Sequence, residues 1–410
     1  MSSIILNFLF QKPSVANFIL SGSKSMSQRS LIINGLMYDG SFIDNLSTSL
    51  DTTILRNCIN SKDNVKNVFN SGTSLRFLIS FYALRNQFVV LTGDAYLFTR
   101  PIDLLISYLN TLGANIVKQE NKIFVQSGEI KGGVVNIEFA YTSQFLSSLL
   151  LIAPYLKGGL KFYMHKNMLS QSYANMTIAM MKQCGVQIKH SDCVLHVPES
   201  KYVKPVVSIE SDWTSASYLY LSFLFSNLDA VTISVLYKNS IQPDCSLISF
   251  FSLLGIESDI NDSSVTLRKI NNANHPFKIE WNFYNNPDFA LTAFVACLGS
   301  KVDLYASGLD TLPYKESNRI TSISKEFSKF NCLVNIENNN KLIIKPSRLI
   351  IHQKTIDICT YNDHRIALCL SPLALLGYQL RIDDPNVINK SYPDFYNDLA
   401  KFGISINYET

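Results

Sequence analysis

The sequence predicts an α/β protein that is built from a repeated unit and divided into at least two domains. The chain has 410 residues, and one compact core rarely extends beyond about 250–300 residues. With 47% hydrophobic residues and a net charge of +4, the chain can bury large cores, which excludes an intrinsically disordered protein. The third observation is internal repetition, in which a short polar opening precedes an apolar helical run six times.

The six openings recur at nearly regular intervals. One leucine in each apolar run serves as a reference point, and successive leucines lie 47, 68, 73, 72 and 77 residues apart. A recurring period is typical of a repeat architecture. The openings with their first helical residues span 23–31, 71–78, 142–146, 214–219, 288–291 and 363–368.

In the complete copies, the opening helix is followed by a strand, a second helix and a hairpin. A glycine or asparagine follows the second helix, as expected at a helix C-terminus, at Gly113, Gly185, Gly255, Asn331 and Gly403. Asparagine-rich tips then predict hairpins. The first copy has no room for its hairpin between residues 58 and 78, and the last copy ends with its strands unfinished. We expect the N-terminal strands to complete that last copy.

The polar openings lie where helices begin, and such ends favour anions because their first N–H groups are unpaired and the helix dipole is positive. Serine, threonine and aspartate there also have a simpler explanation as N-caps. Several openings carry a cation where the dipole disfavours one. Helix starts and nearby loops hold Lys24, Arg29, Arg76, Arg100, Lys315, Arg319, Arg365 and Lys390. In a chain with 17% charged residues, these cations indicate a pocket for phosphate or carboxylate, with surface salt bridges as the alternative.

Two carboxylates and a histidine accompany these cations. Asp288 opens the fifth helix, and Glu316 lies three residues before Arg319, which places both on one face if the segment is helical. A carboxylate among cations stays ionised and can accept a proton. His364 is flanked by Asp363 and Arg365, without the ligand spacing of a metal site. Dinucleotide and P-loop motifs are absent from the sequence.

In their order along the chain, these motifs resemble those of the 5-enolpyruvylshikimate-3-phosphate synthase family. The resemblance covers about residues 21–402. Two segments are the most specific, Tyr361-Asn-Asp-His-Arg365 and Lys390-Ser-Tyr-Pro-Asp394. The others are Ser21-Gly-Ser-Lys-Ser25 with Arg29, Asn70-Ser-Gly-Thr-Ser-Leu-Arg76, Arg100-Pro101, Ser143-Gln144-Phe145, Ser170 with Tyr173, Pro287-Asp288, and Lys315-Glu316-Ser-Asn-Arg319.

The resemblance implies an inside-out α/β barrel fold with two similar domains, each of three βαβαββ units with parallel helices. We expect an N-terminal domain at 20–210, a C-terminal domain at 1–19 plus 211–410, and an active site in the cleft between them. The resemblance also implies transfer of the enolpyruvyl group of phosphoenolpyruvate to shikimate 3-phosphate, a step of aromatic amino acid and chorismate biosynthesis. It implies no metal or organic cofactor.

The resemblance further implies roles for individual residues. Asp288 would act as the general base, and Glu316 would give and retake a proton. Lys24 would share in proton transfer, and His364 would support the phosphate or the transition state. Phosphoenolpyruvate would contact Lys24, Gly72, Arg100, Gln144, Arg319, Arg365 and Lys390. Shikimate 3-phosphate would contact Lys24, Ser25, Arg29, Thr142, Ser143, Gln144, Ser170, Asp288 and Lys315.

Three alternatives share the fold or the repeat. The first is a UDP-N-acetylglucosamine enolpyruvyl transferase, which carries a cysteine shortly before its Arg-Pro, whereas residues 93–101 contain none. The others are a non-catalytic anion-binding relative and an RNA-terminal phosphate cyclase. Composition indicates no nucleic-acid partner, and the sequence predicts neither a signal peptide nor a membrane span. We expect a cytoplasmic monomer with reduced cysteines.

Overall fold

The computed structural model describes residues 3–9, 14–38, 40–137, 143–164, 171–191, 193–270, 276–337, 340–347 and 355–409. The chain forms two compact units. Unit 1 comprises Met1–Ser21 with Glu210–Thr410, and unit 2 comprises Gly22–Ile209.

The strands are short, as is usual in globular domains. In chain order they are β1 Ser3–Phe8, β2 Val15–Ile19, β3 Val65–Asn67, β4 Val89–Thr92, β5 Asn115–Gln119, β6 Lys122–Gln126, β7 Gly133–Ile137, β8 Leu160–Met164, β9 Lys189–Ser191, β10 Val194–Val197, β11 Ala230–Ser234, β12 Ile256–Ile260, β13 Ser264–Lys269, β14 Lys278–Asn282, β15 Asp303–Ser307, β16 Cys332–Glu337, β17 Lys341–Pro346, β18 Ile356–Ile358, β19 Leu380–Asp383 and β20 Ile404–Glu409.

The α-helices lie between groups of these strands in the sequence. They are α1 Lys24–Leu36, α2 Leu50–Asn60, α3 Gly72–Leu84, α4 Ala95–Thr99, α5 Asp103–Thr111, α6 Ser143–Ile152, α7 Gln171–Gln183, α8 Trp213–Phe225, α9 Leu247–Leu253, α10 Ala290–Ser300, α11 Arg319–Ser328, α12 His364–Leu370 and α13 Phe395–Ala400. Short 3-10 turns lie at Ala153–Tyr155, Pro243–Ser246, Leu312–Tyr314, Ser371–Leu376 and Pro385–Lys390.

The described residues form five four-stranded sheets with one common topology. In each sheet an edge strand runs parallel to its neighbour, and the other two strands are antiparallel. The orders are β3-β4-β6-β5, β7-β8-β10-β9, β12-β13-β11-β2, β14-β15-β17-β16 and β18-β19-β1-β20. The predicted α/β repeat is therefore confirmed.

The first repeat unit is the exception, as the sequence predicts. Helix α2 ends at Asn60 and β3 begins at Val65, which leaves no room for a hairpin. Among the described residues, the sheet of this unit is reduced to one parallel bridge between Asp44 and Ser208.

The N-terminal strands belong to unit 1. Strand β1 pairs with both β19 and β20, and β2 pairs in parallel with β11. In the last repeat unit, β1 therefore takes the position that an inner hairpin strand has in the other sheets.

Helix termini follow the local sequence signals. The N-cap side chains of Ser23, Ser49, Asp212, Asn318 and Asp363 each accept a hydrogen bond from a backbone N–H of the first turn, which satisfies an otherwise unpaired donor. The glycines and the asparagine predicted to end the second helices all have positive φ, between 53° and 102°. This left-handed backbone stops a helix and favours glycine or asparagine.

The central helices of both units are buried on nearly all sides. In unit 1, α12 and residues 290–298 of α10 are buried, and in unit 2 nearly all of α3 and α6 is buried. Such helices are apolar all round, so polar groups concentrate at their starts. Within the described segments, no helix is both long and apolar enough to span a membrane.

Candidate active site

In unit 2, the starts of three helices lie side by side. Gln28 Nε2 on α1 donates to Ser74 Oγ on α3 at 3.2 Å. Gln144 Nε2 on α6 donates to Thr73 Oγ1 on α3 at 3.0 Å. The positive ends of α1, α3 and α6 are therefore grouped, which suits anionic ligands.

Lys24 is the first residue of α1 and forms an ion pair with a residue that sequence reasoning missed. Its Nζ lies 3.1 Å from Asp51 Oδ2, and the two side chains are 16% and 5% exposed. Asp51 lies in the first turn of α2, where an acid is expected from the helix dipole alone. The sequence therefore gave no sign that Asp51 neutralises Lys24.

Gly72 opens α3 against two guanidinium groups. A Cβ at this position would lie 2.8 Å from Arg76 Nη1 and 2.9 Å from Arg100 Nη1. Arg76 Nη1 also donates to the Gly72 carbonyl at 2.8 Å. A side chain at position 72 would therefore displace these guanidinium groups, whereas glycine lets them approach the backbone closely.

Arg29 is buried one turn below the start of α1, with 3% of its surface exposed. Its guanidinium donates to Thr177 Oγ1 at 2.7 Å, to Ser147 Oγ at 3.1 Å and to the Ser25 carbonyl at 2.8 Å. Burial lowers the pKa of Arg29 to about 10, so the group stays cationic at neutral pH. Arg29 links α1 to α6 and α7.

Three of the remaining predicted binding residues of unit 2 lie at the starts of α1 and α6. Ser143 is buried and Gln144 half-buried at the start of α6, and Ser25 is half-buried on α1. Thr142 and Ser170 lie outside the described residues.

In unit 1, Asp288 lies at the centre of an ion-pair network. It precedes α10, and its Oδ1 lies 3.3 Å from Lys315 Nζ and 3.1 Å from Arg319 Nη1. Its Oδ2 lies 3.1 Å from Arg365 Nη2. Burial alone would raise the pKa of Asp288, but Arg365, Lys315 and Arg319 together hold it well below its usual range. Burial lowers the pKa of Lys315.

Glu316 extends this network. Its Oε2 lies 2.9 Å from Arg319 Nη2 and its Oε1 lies 3.3 Å from Lys390 Nζ. Sequence spacing suggested a shared helical turn for Glu316 and Arg319, but α11 begins at Arg319 and Glu316 lies in the preceding loop. The capping residue Asn318 starts the helix here. The ion pair therefore joins the loop to the helix start.

Arg319 connects the network to α12. Its side chain is 1% exposed, and its Nε lies 2.8 Å from Asp363 Oδ2. Burial lowers the pKa of Arg319, but Asp363 and Glu316 outweigh burial and raise it overall. Asp363 caps α12 by accepting from the Arg365 N–H at 3.0 Å. An acid at a helix N-cap is expected from capping alone, so its pairing with Arg319 was not foreseen.

Arg365 and His364 form the first turn of α12. Arg365 Nη1 donates to the Tyr218 hydroxyl at 3.1 Å, which joins α12 to α8. Burial raises the pKa of Tyr218, so its hydroxyl stays protonated. His364 is buried, and its Nδ1 lies 3.8 Å from Asp363 Oδ1.

Asp244 is a second carboxyl near Asp288 that sequence reasoning missed. It is 2% exposed and accepts a hydrogen bond from the Thr214 hydroxyl. Burial and the charge of Asp288 raise the pKa of Asp244 to about 7. It lies on the 3-10 turn Pro243–Ser246, a segment with no recognised motif, so no local signal marked it.

The predicted residues of unit 1 thus meet in one network. Asp288, Lys315, Glu316, Arg319, Arg365 and Lys390 are joined by ion pairs. Among the described residues, no group of three or more His, Cys, Asp or Glu side chains is arranged to hold a metal ion. The network offers guanidinium and ammonium groups for anions, with carboxylates close enough to move protons.

Five sheets of the same topology, with ionisable side chains clustered at helix starts, define an α/β repeat protein with anion-binding groups. A family model for EPSP synthase (3-phosphoshikimate 1-carboxyvinyltransferase) matches residues 55–399. A 3-phosphoshikimate 1-carboxyvinyltransferase of Bacteroides fragilis strain YCH46 is 30% identical, with 98% of this chain and 100% of that protein covered. The chain belongs to the EPSP synthase family.

Other comparisons agree. A 3-phosphoshikimate 1-carboxyvinyltransferase of Buchnera aphidicola subsp. Cinara cedri is 29% identical, with 92% of this chain and 93% of that protein covered. An EPSP synthase structure from Acinetobacter baumannii matches with a TM-score of 0.74 at 17% identity, with 100% of both chains covered. At that identity the structural likeness shows the fold.

Proposed function

We propose that this protein is a 3-phosphoshikimate 1-carboxyvinyltransferase. It transfers the enolpyruvyl group of phosphoenolpyruvate to the 5-hydroxyl of shikimate 3-phosphate, and phosphate is released. Family membership supports the reaction. The observation that carries the proposal for this chain is the network in which Asp288 and Glu316 alternate with Lys315, Arg319, Arg365 and Lys390.

The carboxylate groups of Asp288 and Glu316 occupy the positions beside these cations that the anionic groups of a substrate would take. Arg365 and Lys390 each lie within 3.3 Å of a carboxylate oxygen. Guanidinium and ammonium groups bind both carboxylate and phosphate groups. We infer that phosphoenolpyruvate competes with Asp288 and Glu316 for Arg319, Arg365 and Lys390.

This competition makes the carboxylates better bases. A carboxylate whose pKa is held low by neighbouring cations is a weak base. When substrate anions draw Arg365 and Lys315 away from Asp288, the low pKa of Asp288 rises towards its usual value. Substrate binding therefore prepares Asp288 to accept the proton of the 5-hydroxyl.

The reaction then follows an addition–elimination sequence. The 5-hydroxyl oxygen bonds to C2 of phosphoenolpyruvate as the C2–C3 double bond becomes a single bond, and the hydroxyl proton passes to Asp288. C3 gains a proton from Glu316, which must therefore be protonated when the substrates are bound. In the tetrahedral intermediate the bond between C2 and the phosphate oxygen then breaks, and C3 returns a proton to Glu316. The leaving phosphate takes the proton held by Asp288, which restores both carboxyl groups to their starting states. Lys24 stabilises the negative charge and shares in proton transfer, and His364 supports Arg365 from the same helix turn.

Unit 2 has its own proposed binding residues. The residues proposed for phosphoenolpyruvate in unit 2 are Lys24, Gly72, Arg100 and Gln144. The residues proposed for shikimate 3-phosphate are Lys24, Ser25, Arg29, Thr142, Ser143, Gln144, Ser170, Asp288 and Lys315. The grouped helix starts of unit 2 support this assignment, since they favour anions.

We further propose that the two units act as the two domains of a cytoplasmic monomer that needs no metal or organic cofactor. The eight cysteines, all of which lie in described segments, are free thiols, as is usual in a reducing compartment. Size-exclusion chromatography with light scattering tests the monomer, and an elution mass of twice 46.2 kDa would contradict it.

A phosphate-release assay tests the proposed reaction. We expect purified protein to release phosphate when both phosphoenolpyruvate and shikimate 3-phosphate are present, and not with either one alone. Asp288→Ala, assayed in parallel, controls for a contaminating phosphatase. Phosphate release with UDP-N-acetylglucosamine in place of shikimate 3-phosphate would identify the related transferase instead. If neither acceptor supports phosphate release, the proposal is refuted.

A further inference from the structure

The segment before α12 has an unusual backbone. This α12 lead-in (residues 359–363) includes Tyr361 and Asn362, which both have a φ of 54°. The left-handed region is tolerated by asparagine but is unfavourable for tyrosine. Two such residues in succession persist where the surrounding structure holds them.

Glu326 on α11 holds the lead-in. The Tyr361 hydroxyl donates to its Oε1 at 2.8 Å, and the Cys359 N–H donates to its Oε2 at 3.3 Å. Lys329 Nζ lies 2.6 Å from the same Oε2. Glu326 is 0% exposed. A buried carboxylate is stable with donors of this kind around it, and two of these donors belong to the lead-in.

Helix α11 therefore contacts the lead-in at two points. Arg319 and Glu326 are seven residues apart, which is two helical turns, so both project from one face. Arg319 Nε pairs with Asp363 at the end of the lead-in, at 2.8 Å. Glu326 bonds to the beginning and middle of the lead-in through Cys359 and Tyr361. A further contact comes from outside α11, because the Thr360 N–H donates to Asp383 Oδ1 at 2.6 Å. Together these attachments fix the direction in which α12 leaves the lead-in.

We propose that Glu326, acting through the Tyr361 hydroxyl, is a positioning residue for Arg365. Neither Glu326 nor Tyr361 contacts substrate in this proposal. Without Glu326, the lead-in would be held by Asp363 and by the bond from the Thr360 N–H to Asp383 Oδ1, but the Tyr361 side chain would lose its anchor. The Arg365 guanidinium would then meet phosphoenolpyruvate in several orientations. The proposal rests on the proposed function, because the orientation of Arg365 matters through its ligand.

Tyr361→Phe tests this role, since it removes one hydroxyl and keeps the ring. We expect the KM for phosphoenolpyruvate to rise about fivefold or more and kcat to fall, while the KM for shikimate 3-phosphate changes less than about twofold. Tyr378→Phe is the matched control. It removes a buried hydroxyl of the same unit that has no hydrogen-bond partner among the described residues, and we expect unchanged kinetics.

Rescue by a conservative variant separates positioning from stability. Glu326→Gln keeps a side-chain oxygen that accepts from Tyr361, so its KM for phosphoenolpyruvate should lie between those of wild type and Glu326→Ala. If Tyr361→Phe does not fold, the KM of Glu326→Gln for phosphoenolpyruvate tests the positioning role in its place. If these variants have a lowered Tm but an unchanged KM for phosphoenolpyruvate, the positioning role is overturned. The proposed function is unaffected by that result as long as the wild-type protein turns over both substrates. Wild-type protein without turnover would instead overturn the proposed function.

Discussion

Replacing Asp288 by asparagine removes the charge at the centre of the network and keeps the shape of the side chain. Lys315 and Arg365 then lose the carboxylate oxygens that lie 3.3 and 3.1 Å away. Breaking a buried ion pair on one side costs about 3–5 kcal/mol. Because 17% of the Asp288 side chain is exposed, we expect the free energy of unfolding to fall by about 3 kcal/mol, at the lower end of this range. A loss of this size lowers the Tm by about 6–12 °C in a unit of this size.

The same substitution should change the response to phosphate. In wild-type protein an added anion must displace the Asp288 carboxylate from Lys315 and Arg365, whereas in Asp288→Asn those cations are already available. We expect inorganic phosphate to bind the variant about tenfold more tightly, equivalent to about 1.4 kcal/mol, and to raise its Tm by a correspondingly larger amount. We also expect kcat to fall by about 100-fold or more, because the general base is lost.

Thermal unfolding with and without phosphate, together with turnover, measures these effects. Asp262→Asn is the matched control, because it makes the same charge change at an exposed turn between β12 and β13. A variant Asp288→Asn with the Tm of wild type and the same response to phosphate would refute the view that carboxylates hold the anion-binding cations.

Three further predictions concern other parts of the site. Glu316→Gln should lower kcat by about 100-fold or more, since it removes the group that protonates C3, and should lower the Tm about as much as Asp288→Asn does, because Glu316 pairs with the buried Arg319. Steady-state kinetics check this, and normal turnover would exclude Glu316 from proton transfer. Gly72→Ala should raise the KM for phosphoenolpyruvate, because its Cβ would lie 2.9 Å from Arg100 Nη1; an unchanged KM would contradict this. Burial and Asp288 raise the pKa of Asp244 to about 7, so wild-type protein binds an extra proton on folding and loses stability as pH rises from 4 to 7. Asp244→Asn should therefore gain about 2 kcal/mol relative to wild type between about pH 5.5 and pH 8 in urea unfolding, and a pH-independent difference would show that Asp244 does not titrate in this range.

The repeat and its helix boundaries could be predicted from local signals. The glycines and Asn331 that follow the second helices have the left-handed backbone that their residue types favour. The missing hairpin of the first unit was visible as missing length, because Asn60 and Val65 are too close in sequence for two more strands. Such features depend on neighbours in the chain, so the sequence contains them.

The acidic partners of the site could not be predicted in this way. Asp51 and Asp363 occupy positions where helix capping or the dipole already explains an acid. Asp244 lies 44 residues before Asp288 in the sequence, and Glu326 reads as an ordinary helical residue until its bond to Tyr361 is seen. Their roles depend on packing between distant segments, which periodicity and motif spacing do not report.

Solvent deuterium tests the proposed addition–elimination reaction most directly. In that reaction C3 of phosphoenolpyruvate becomes a methyl group and then loses a proton. Wild-type protein turning over phosphoenolpyruvate and shikimate 3-phosphate in D₂O should give a product with deuterium on the vinyl methylene carbon, detectable by proton NMR and mass spectrometry. An enolpyruvyl product without deuterium at that carbon would contradict the proposed mechanism.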